Sequence, residues 1–145
     1  MVNVSPKRVT SRIAVARGRV FMHRDTLRML QEGAGPKGDV IAVAHIAGVM
    51  AAKRTADIVP LAHPLALEAI DMAFAPDEAT ASVQIQAEVR TRGKTGVEME
   101  ALTAVSVAAL TLYDMLKAVD RGMVIGEIAL WMKRGGRSGV WRRRP

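Results

Sequence analysis

Apolar positions change their period several times along the chain, and each change marks an element. Residues 12–22 (RIAVARGRVFM) alternate in part and predict a strand. Asp25 predicts the N-cap of a short helix, DTLRMLQE, which Gly33 ends. GAGPKG (33–38) reads as a turn. Asp39 predicts the cap of a second helix reaching about Thr55, with Val40, Val43, Ala44, Ala47 and Met50 at helical spacing. IVPLAHPL (58–65) holds two prolines, so it is irregular or extended. LEAIDMAF (67–74) predicts a strand and APDEAT (75–80) a turn. SVQIQAEVR (82–90) alternates cleanly, with Val83, Ile85, Ala87 and Val89 inward and Gln84, Gln86, Glu88 and Arg90 outward. That pattern predicts a hairpin with one solvated face. RGKTG (92–96) is a turn, followed by a long helix over about 98–120 that Gly122 ends. A last strand, MVIGEIALWMK, leads into the glycine-rich RGGRSG.

Strand, two helices, strand, strand, helix, strand is close to the ferredoxin-like split βαβ order with an additional helix. The expected class is α+β, an antiparallel sheet packed by helices. No linker or internal repeat interrupts the chain, so residues 1–145 form a single domain, with 139–145 as a basic, solvated tail. Residues 101–110 (ALTAVSVAAL) are apolar nearly all round. A helix of that kind is packed on more than one side. One small domain covers it poorly, which predicts oligomer contacts.

Charge changes the picture next. The net charge of +7 points to an anionic partner. Only 3% of residues are aromatic, which leaves little to stack on bases and argues against nucleic acid. With 24% charged residues the chain is neither disordered nor membrane-spanning in composition. The longest uncharged run, 101–113, is too short for a bilayer, and MVNVSPKRVT lacks the apolar core of a signal peptide. A cytoplasmic address and no membrane are expected. No cysteine is present, which removes disulfides and thiolate chemistry.

GKTG (93–96) resembles part of a phosphate loop, but the glycine required five positions earlier is Glu88, so a nucleotide P-loop is rejected. A glycine-rich turn before a helix still suits an anion. Glu98 and Glu100 follow, where first-turn acids complement the helix dipole. His63 lies in a loop, and the three histidines (23, 45, 63) show no paired metal spacing, so no metal site is expected. Lys53-Arg54 closes the second helix, and Lys133-Arg134 precedes RGGRSG. The first pair suits the C-terminal dipole of its helix as well as it suits a function, and the second can clamp phosphates or simply be solvated. Asp114 and Lys117 are three apart on the greasiest helix. On an exposed face such a pair is worth roughly 0.2–0.5 kcal/mol. Half-buried, as the surrounding sequence suggests, it can hand over protons.

Taken together, KGDVIAVAHIAGVMAAKRT (37–55), IVPLAHPL (58–65), GKTGVEMEALTAVSVAALTLYDMLKAV (93–119) and KRGGRSG (133–139) closely resemble the cyclic pyranopterin monophosphate synthases, the molybdenum cofactor biosynthesis protein C family. The resemblance runs from MVNVS to RSG. It implies a ferredoxin-like α+β fold and a homohexamer, a trimer of dimers, with sites at subunit interfaces. It implies a lyase that converts 3′,8-cyclo-7,8-dihydro-GTP to cyclic pyranopterin monophosphate with loss of pyrophosphate. Asp114 and Lys117 of YDMLK match the catalytic pair. Leu61, Ala62 and His63 of PLAHP match the substrate loop, and Met99 and Glu100 of VEME a second substrate segment. Lys37, Lys53, Glu98 and Lys133 match polar positions near the pocket, and Arg12 aligns with a family arginine. Many relatives carry Cys where Ala62 and Leu116 stand, so neither thiol is needed for the reaction. The implied roles make Lys117 the general acid–base and Asp114 its orienting or relaying partner. His63, Lys53 and Lys133 then hold phosphates. No cofactor is required. No carboxylate cluster demands a metal, though a triphosphate often brings Mg²⁺ with it.

Two rival readings explain less. A basic RNA-binding protein uses the +7 charge but leaves the acids of VEME and YDMLK without a role. A purely structural oligomer leaves unexplained why the most apolar helix carries an acid and an amine.

Overall fold

The computed structural model describes residues 1–145. Its elements, in chain order, are β1 (Thr10–Phe21), α1 (Arg24–Gln31), α2 (Val40–Lys53), α3 (Thr55–Ile58), β2 (Ala69–Asp77), β3 (Ser82–Gly93), α4 (Glu98–Leu116), β4 (Val124–Arg134) and β5 (Val140–Arg142). The sheet order is β2-β3-β1-β4-β5, and every neighbouring pair is antiparallel. β3 therefore splits the crossover from β1 to β2, and β1 splits the crossover from β3 to β4. This is the ferredoxin-like α+β arrangement expected, with β5 added at one edge.

The alternation in β3 does what its period requires. Val83, Ile85, Ala87 and Val89 are fully buried, and the register sets them beside Val20, Gly18, Ala16 and Ala14 of β1. All eight face the helices. The residues on β1 are small because α4 lies directly over them. A Cβ on Gly18 would come within 2.8 Å of Val105 Cγ1 and 2.9 Å of Ile128 Cγ1. From the side, Gly48 lets α2 approach equally closely, since a Cβ there would meet Met72 Cε at 2.7 Å and the Ala104 carbonyl at 3.2 Å. α4 is thus the central helix of the core, with Ala101, Ala104, Val105, Ala108, Ala109, Leu112 and Leu116 fully buried. By length and composition α4 could cross a membrane. In this fold its apolar side faces the sheet and α2 instead.

The opposite face of the sheet is polar, as the alternation predicts. Arg19 donates to Asp77 Oδ2 (3.1 Å) and Ser82 Oγ (2.9 Å) and pairs with Glu127. Arg17 donates to Gln86 and lies over the Trp131 ring, 4.7 Å from its centroid.

Several boundaries differ from the sequence reading. Asp25 is not the N-cap of α1; that position is His23, and its side chain makes no capping bond. The cap is supplied from 97 residues away, by Asp120, whose Oδ2 accepts from His23 N (2.9 Å) and Thr26 Oγ1 (3.0 Å). The same recruitment explains why α4 stops at Leu116 rather than near residue 120. The chain must leave the helix to bring Asp120 inward, where it is buried. β2 continues through Pro76 to Asp77 because it is an edge strand, where proline forfeits no ladder bond. The basic tail is not wholly a tail: residues 140–142 pair with β4, although their side chains remain exposed. The second helix is capped by Asp39 as expected, its side chain accepting from Ala42 N at 3.0 Å.

Candidate active site

α2 and α4 lie side by side in opposite directions, as the contacts at both ends require. Lys37, just before α2, meets Asp114 in the last turn of α4. Lys53, in the last turn of α2, shares a small hollow with Glu100 at the start of α4. Each end of the helix pair therefore places a lysine from one segment near an acid from the other, and at the Lys37 end the two are ion-paired.

At the α4 N-terminal end lies a cavity of about 480 Å³. Its walls are the loop Leu61–Leu65, the turn and first residues of α4 from Thr95 to Glu100, and the N-terminal segment. The two prolines hold the 58–65 stretch out of regular structure, so Leu61, Ala62 and His63 line the opening. Leu61 and Met99 are apolar yet largely exposed. Glu100 is buried at 4% exposure, and burial pushes its carboxyl pKa up, with the neighbouring Glu98 charge adding to the effect. His63 Nε2 lies 2.8 Å from the Val2 carbonyl, so this nitrogen carries the proton and donates.

At the other end, Asp114 is clasped by two ammonium groups. Its Oδ1 is 2.9 Å from Lys117 Nζ and its Oδ2 is 3.0 Å from Lys37 Nζ. Lys117 first, then Lys37, holds the Asp114 carboxyl below its ordinary range. The half-burial expected is what one chain shows: all three side chains keep about half of their surface exposed. Helical phase is the reason. Leu110, Asp114 and Lys117 stand at i, i+4 and i+7, on the outward face, while Leu112, Met115 and Leu116 point to the core.

The sequence profile of the MoaC family matches residues 1–136. The chain belongs to the MoaC family. Among curated relatives, the cyclic pyranopterin monophosphate synthase of Heliobacterium modesticaldum is 60% identical over 143 residues, covering 99% of this chain and 90% of the relative. That of Chloroflexus aurantiacus is 59% identical, with 99% and 88% covered. Cyclic pyranopterin monophosphate synthase 1 of Mycobacterium tuberculosis is 60% identical, with 99% and 84% covered.

In this MoaC chain the candidate residues fall into three groups. Leu61, Ala62, His63, Glu98, Met99 and Glu100 surround the cavity, and Lys53 lines the adjoining hollow with His63 and Glu100. Arg12 and Lys133 lie near each other where β1 meets β4, outside both hollows. Arg12 donates from Nε to the Gly93 carbonyl (2.9 Å). Lys133 spends its donors on its own loop, at the carbonyls of Gly135 (3.3 Å) and Gly139 (3.1 Å) and on Ser138 Oγ. It is neither free in solvent nor directed into the cavity. Lys37, Asp114 and Lys117 form the third group. The wall built by Met1, Val2, Val4 and Lys7 falls within the stretch the family resemblance covers, but the sequence reading named no site residue there, because nothing local ties an N-terminal segment to a loop sixty residues on.

Proposed function

We propose that the chain is a cyclic pyranopterin monophosphate synthase, a lyase of molybdenum cofactor biosynthesis. It converts 3′,8-cyclo-7,8-dihydro-GTP to cyclic pyranopterin monophosphate and releases pyrophosphate. Relatives about 60% identical over nearly the whole chain carry that name. The observation in the molecule that carries the reading is the Lys37–Asp114–Lys117 cluster, an ionised carboxylate between two amines.

Opening the imidazole ring of the substrate and closing a pyrazine ring are proton transfers, suited to such a cluster. Lys117 is the general acid–base. Asp114 orients it and takes up or relays its proton. Attack of a sugar hydroxyl on the α-phosphate breaks the bond to the β-phosphate oxygen, and negative charge grows on the departing pyrophosphate. His63 and Lys53, at the hollows, are suited to neutralise that charge, and Lys133, whose loop lies outside both hollows, joins them where subunits meet. Leu61, Ala62, Glu98, Met99 and Glu100 hold the ring system. No cofactor is required, and Mg²⁺ enters, if at all, with the triphosphate.

Glu100 and Asp114 are 14 residues apart on one helix, or about 21 Å at ~1.5 Å per residue. One small substrate does not span that distance. The complete site is therefore assembled between subunits, in a homohexamer built as a trimer of dimers. Val43, Ile46, Met50 and Leu110 support this, since they leave large apolar side chains exposed on α2 and α4. The enzyme works in the cytoplasm, on a small molecule, without nucleic acid or membrane.

The test is turnover of 3′,8-cyclo-7,8-dihydro-GTP, followed through pyrophosphate and a pterin product. Wild type should form both. Lys117→Ala should bind substrate and form neither. Near-wild-type turnover by Lys117→Ala would return the pair to an ordinary surface contact.

A further inference from the structure

Asp114 draws its two cations from different places, and only one of them belongs to its own helix. Lys117 stands three positions on, where helical spacing alone brings the pair together. Lys37 comes from 77 positions away, on the segment between α1 and α2, and its Nζ still lies 3.0 Å from Asp114 Oδ2. A lysine side chain gives up much rotamer freedom to hold one geometry. The contact gains from any device that fixes the backbone beneath Lys37.

That backbone is fixed at three points. Where the segment leaves α1, Gly33 N donates to Leu30 O (3.1 Å) and Ala34 N to Met29 O (3.0 Å). Where it enters α2, Asp39 caps the helix through Ala42 N. Between these, Gly38 N donates to Gly35 O (3.2 Å), closing a turn with Pro36 and Lys37 at its corners. Pro36 presets φ at the first corner, and Gly38 takes a left-handed φ of +102° that suits glycine. Gly35 has no room for a side chain. A Cβ there would lie 2.8 Å from Val40 Cγ2 and 3.0 Å from the Gly38 carbonyl oxygen. Val40 is buried and β-branched, so it yields little. The same Cβ would be 4.0 Å from Cδ2 of Leu116, which ends α4 immediately before Lys117. The turn that carries Lys37 is therefore packed on the end of the helix that carries Asp114. Lys37 and Lys117 are the two cations paired with Asp114, so the charge around this carboxylate depends on where the turn sits.

We propose that Gly35 and Pro36 are positioning residues, which act on the Lys37–Asp114–Lys117 cluster by holding Lys37 Nζ against the Asp114 carboxylate. The catalytic use of that cluster rests on the functional reading above, but the contact can be measured without turnover. The experiment is a pH titration of the Asp114 carboxyl by NMR, in the full chain labelled in its aspartate carboxyls, with the resonance assigned by its loss in Asp114→Asn. Lys37→Ala should raise the pH at which Asp114 titrates, because one of the two ammonium groups that lower it is gone. Gly35→Ala, which forces the turn open, should reproduce most of that rise. The double variant Gly35→Ala/Lys37→Ala should titrate no higher than Lys37→Ala alone, since both changes break one contact. Pro36→Gly adds no atom and only loosens the turn, so it carries the test if Gly35→Ala does not fold, and it should give a smaller rise in the same direction. Gly126→Ala on β4 is the control, because its Cβ would meet Phe21 Cε2 at an ordinary 3.6 Å, and it should titrate as wild type. Wild-type titration of Asp114 in every folded turn variant overturns the proposal. So does a double variant that titrates above Lys37→Ala, which would mean that the turn reaches Asp114 by another route. The pH dependence of kcat in the same proteins tests the functional reading separately. An Asp114 titration that moves while turnover does not would leave the positioning standing and remove the cluster from the reaction.

Discussion

Replacing Asp120 with alanine should destabilise the protein more than any single surface charge. The side chain is 1% exposed and accepts three hydrogen bonds, from His23 N (2.9 Å), Thr26 Oγ1 (3.0 Å) and Gly122 N (3.1 Å). Bonds to a charged group are worth roughly 1.5–3 kcal/mol each. The full sum overstates the loss, because His23 and Gly122 are exposed residues whose amides regain water in the variant. Thr26 is buried and has no such recourse. Counting one buried donor left without a partner and one lost helix cap, the expected loss is about 3 kcal/mol. Asp120→Asn keeps an acceptor for His23 and Thr26 but turns an amide toward the Gly122 N–H, and should lose about half as much.

The acid dependence is a second signature. Burial raises the Asp120 pKa, but the bonds from His23 N–H, Thr26 and Gly122, with the nearby His23 ring, outweigh it and leave the pKa lowered. A carboxyl held below its unfolded value stabilises the fold fully above the unfolded pKa, near 4, and loses that contribution as pH falls through the folded value. Urea unfolding at one protomer concentration is the assay, since oligomerisation makes stability concentration-dependent. At pH 7 the Asp120→Ala midpoint should fall by about 1.5 M, taking a slope of ~2 kcal/mol per M. As pH falls through the folded value the gap between wild type and variant should narrow by the part that the lowered pKa contributes. A gap below about 0.5 kcal/mol at pH 7, or one that is unchanged at pH 2, would refute the assignment of Asp120 as the buried anionic cap of α1.

Two further predictions concern the proposed reaction. Lys37→Ala removes one of the two ammonium groups that depress the Asp114 carboxyl, so that carboxyl should stay protonated to higher pH and the acid limb of the kcat profile should move upward. An acid limb that stays put would separate Asp114 from the protonation that limits turnover. Mixing Glu100→Ala and Lys117→Ala subunits, each nearly inactive alone, should restore part of the activity, because some sites in a mixed oligomer are then intact. Verified mixed oligomers with no recovered turnover would place both residues in one subunit's site.

What the sequence determined by itself was whatever depends on neighbours along the chain. The period-2 pattern of β3, the Asp39 cap and the punctuating glycine at the end of α1 were all legible, because a few adjacent residues decide them. The order of elements was enough for the fold, since short connections and alternating faces leave few ways to pack one sheet under its helices. The long motifs were enough for the family. Tertiary structure alone decided the rest. The cap of α1 comes from Asp120, the wall of the cavity from residues 1–7, and the partner of Asp114 from Lys37, 77 positions away. Composition suggested that Asp114 and Lys117 were half-buried, as they are, but which way they face depends on where their helix is seated. Gly18 and Gly48 seat α4 so that this pair points outward. Local preference acts through a few neighbouring bonds, while these features depend on which distant surfaces meet once the core has closed.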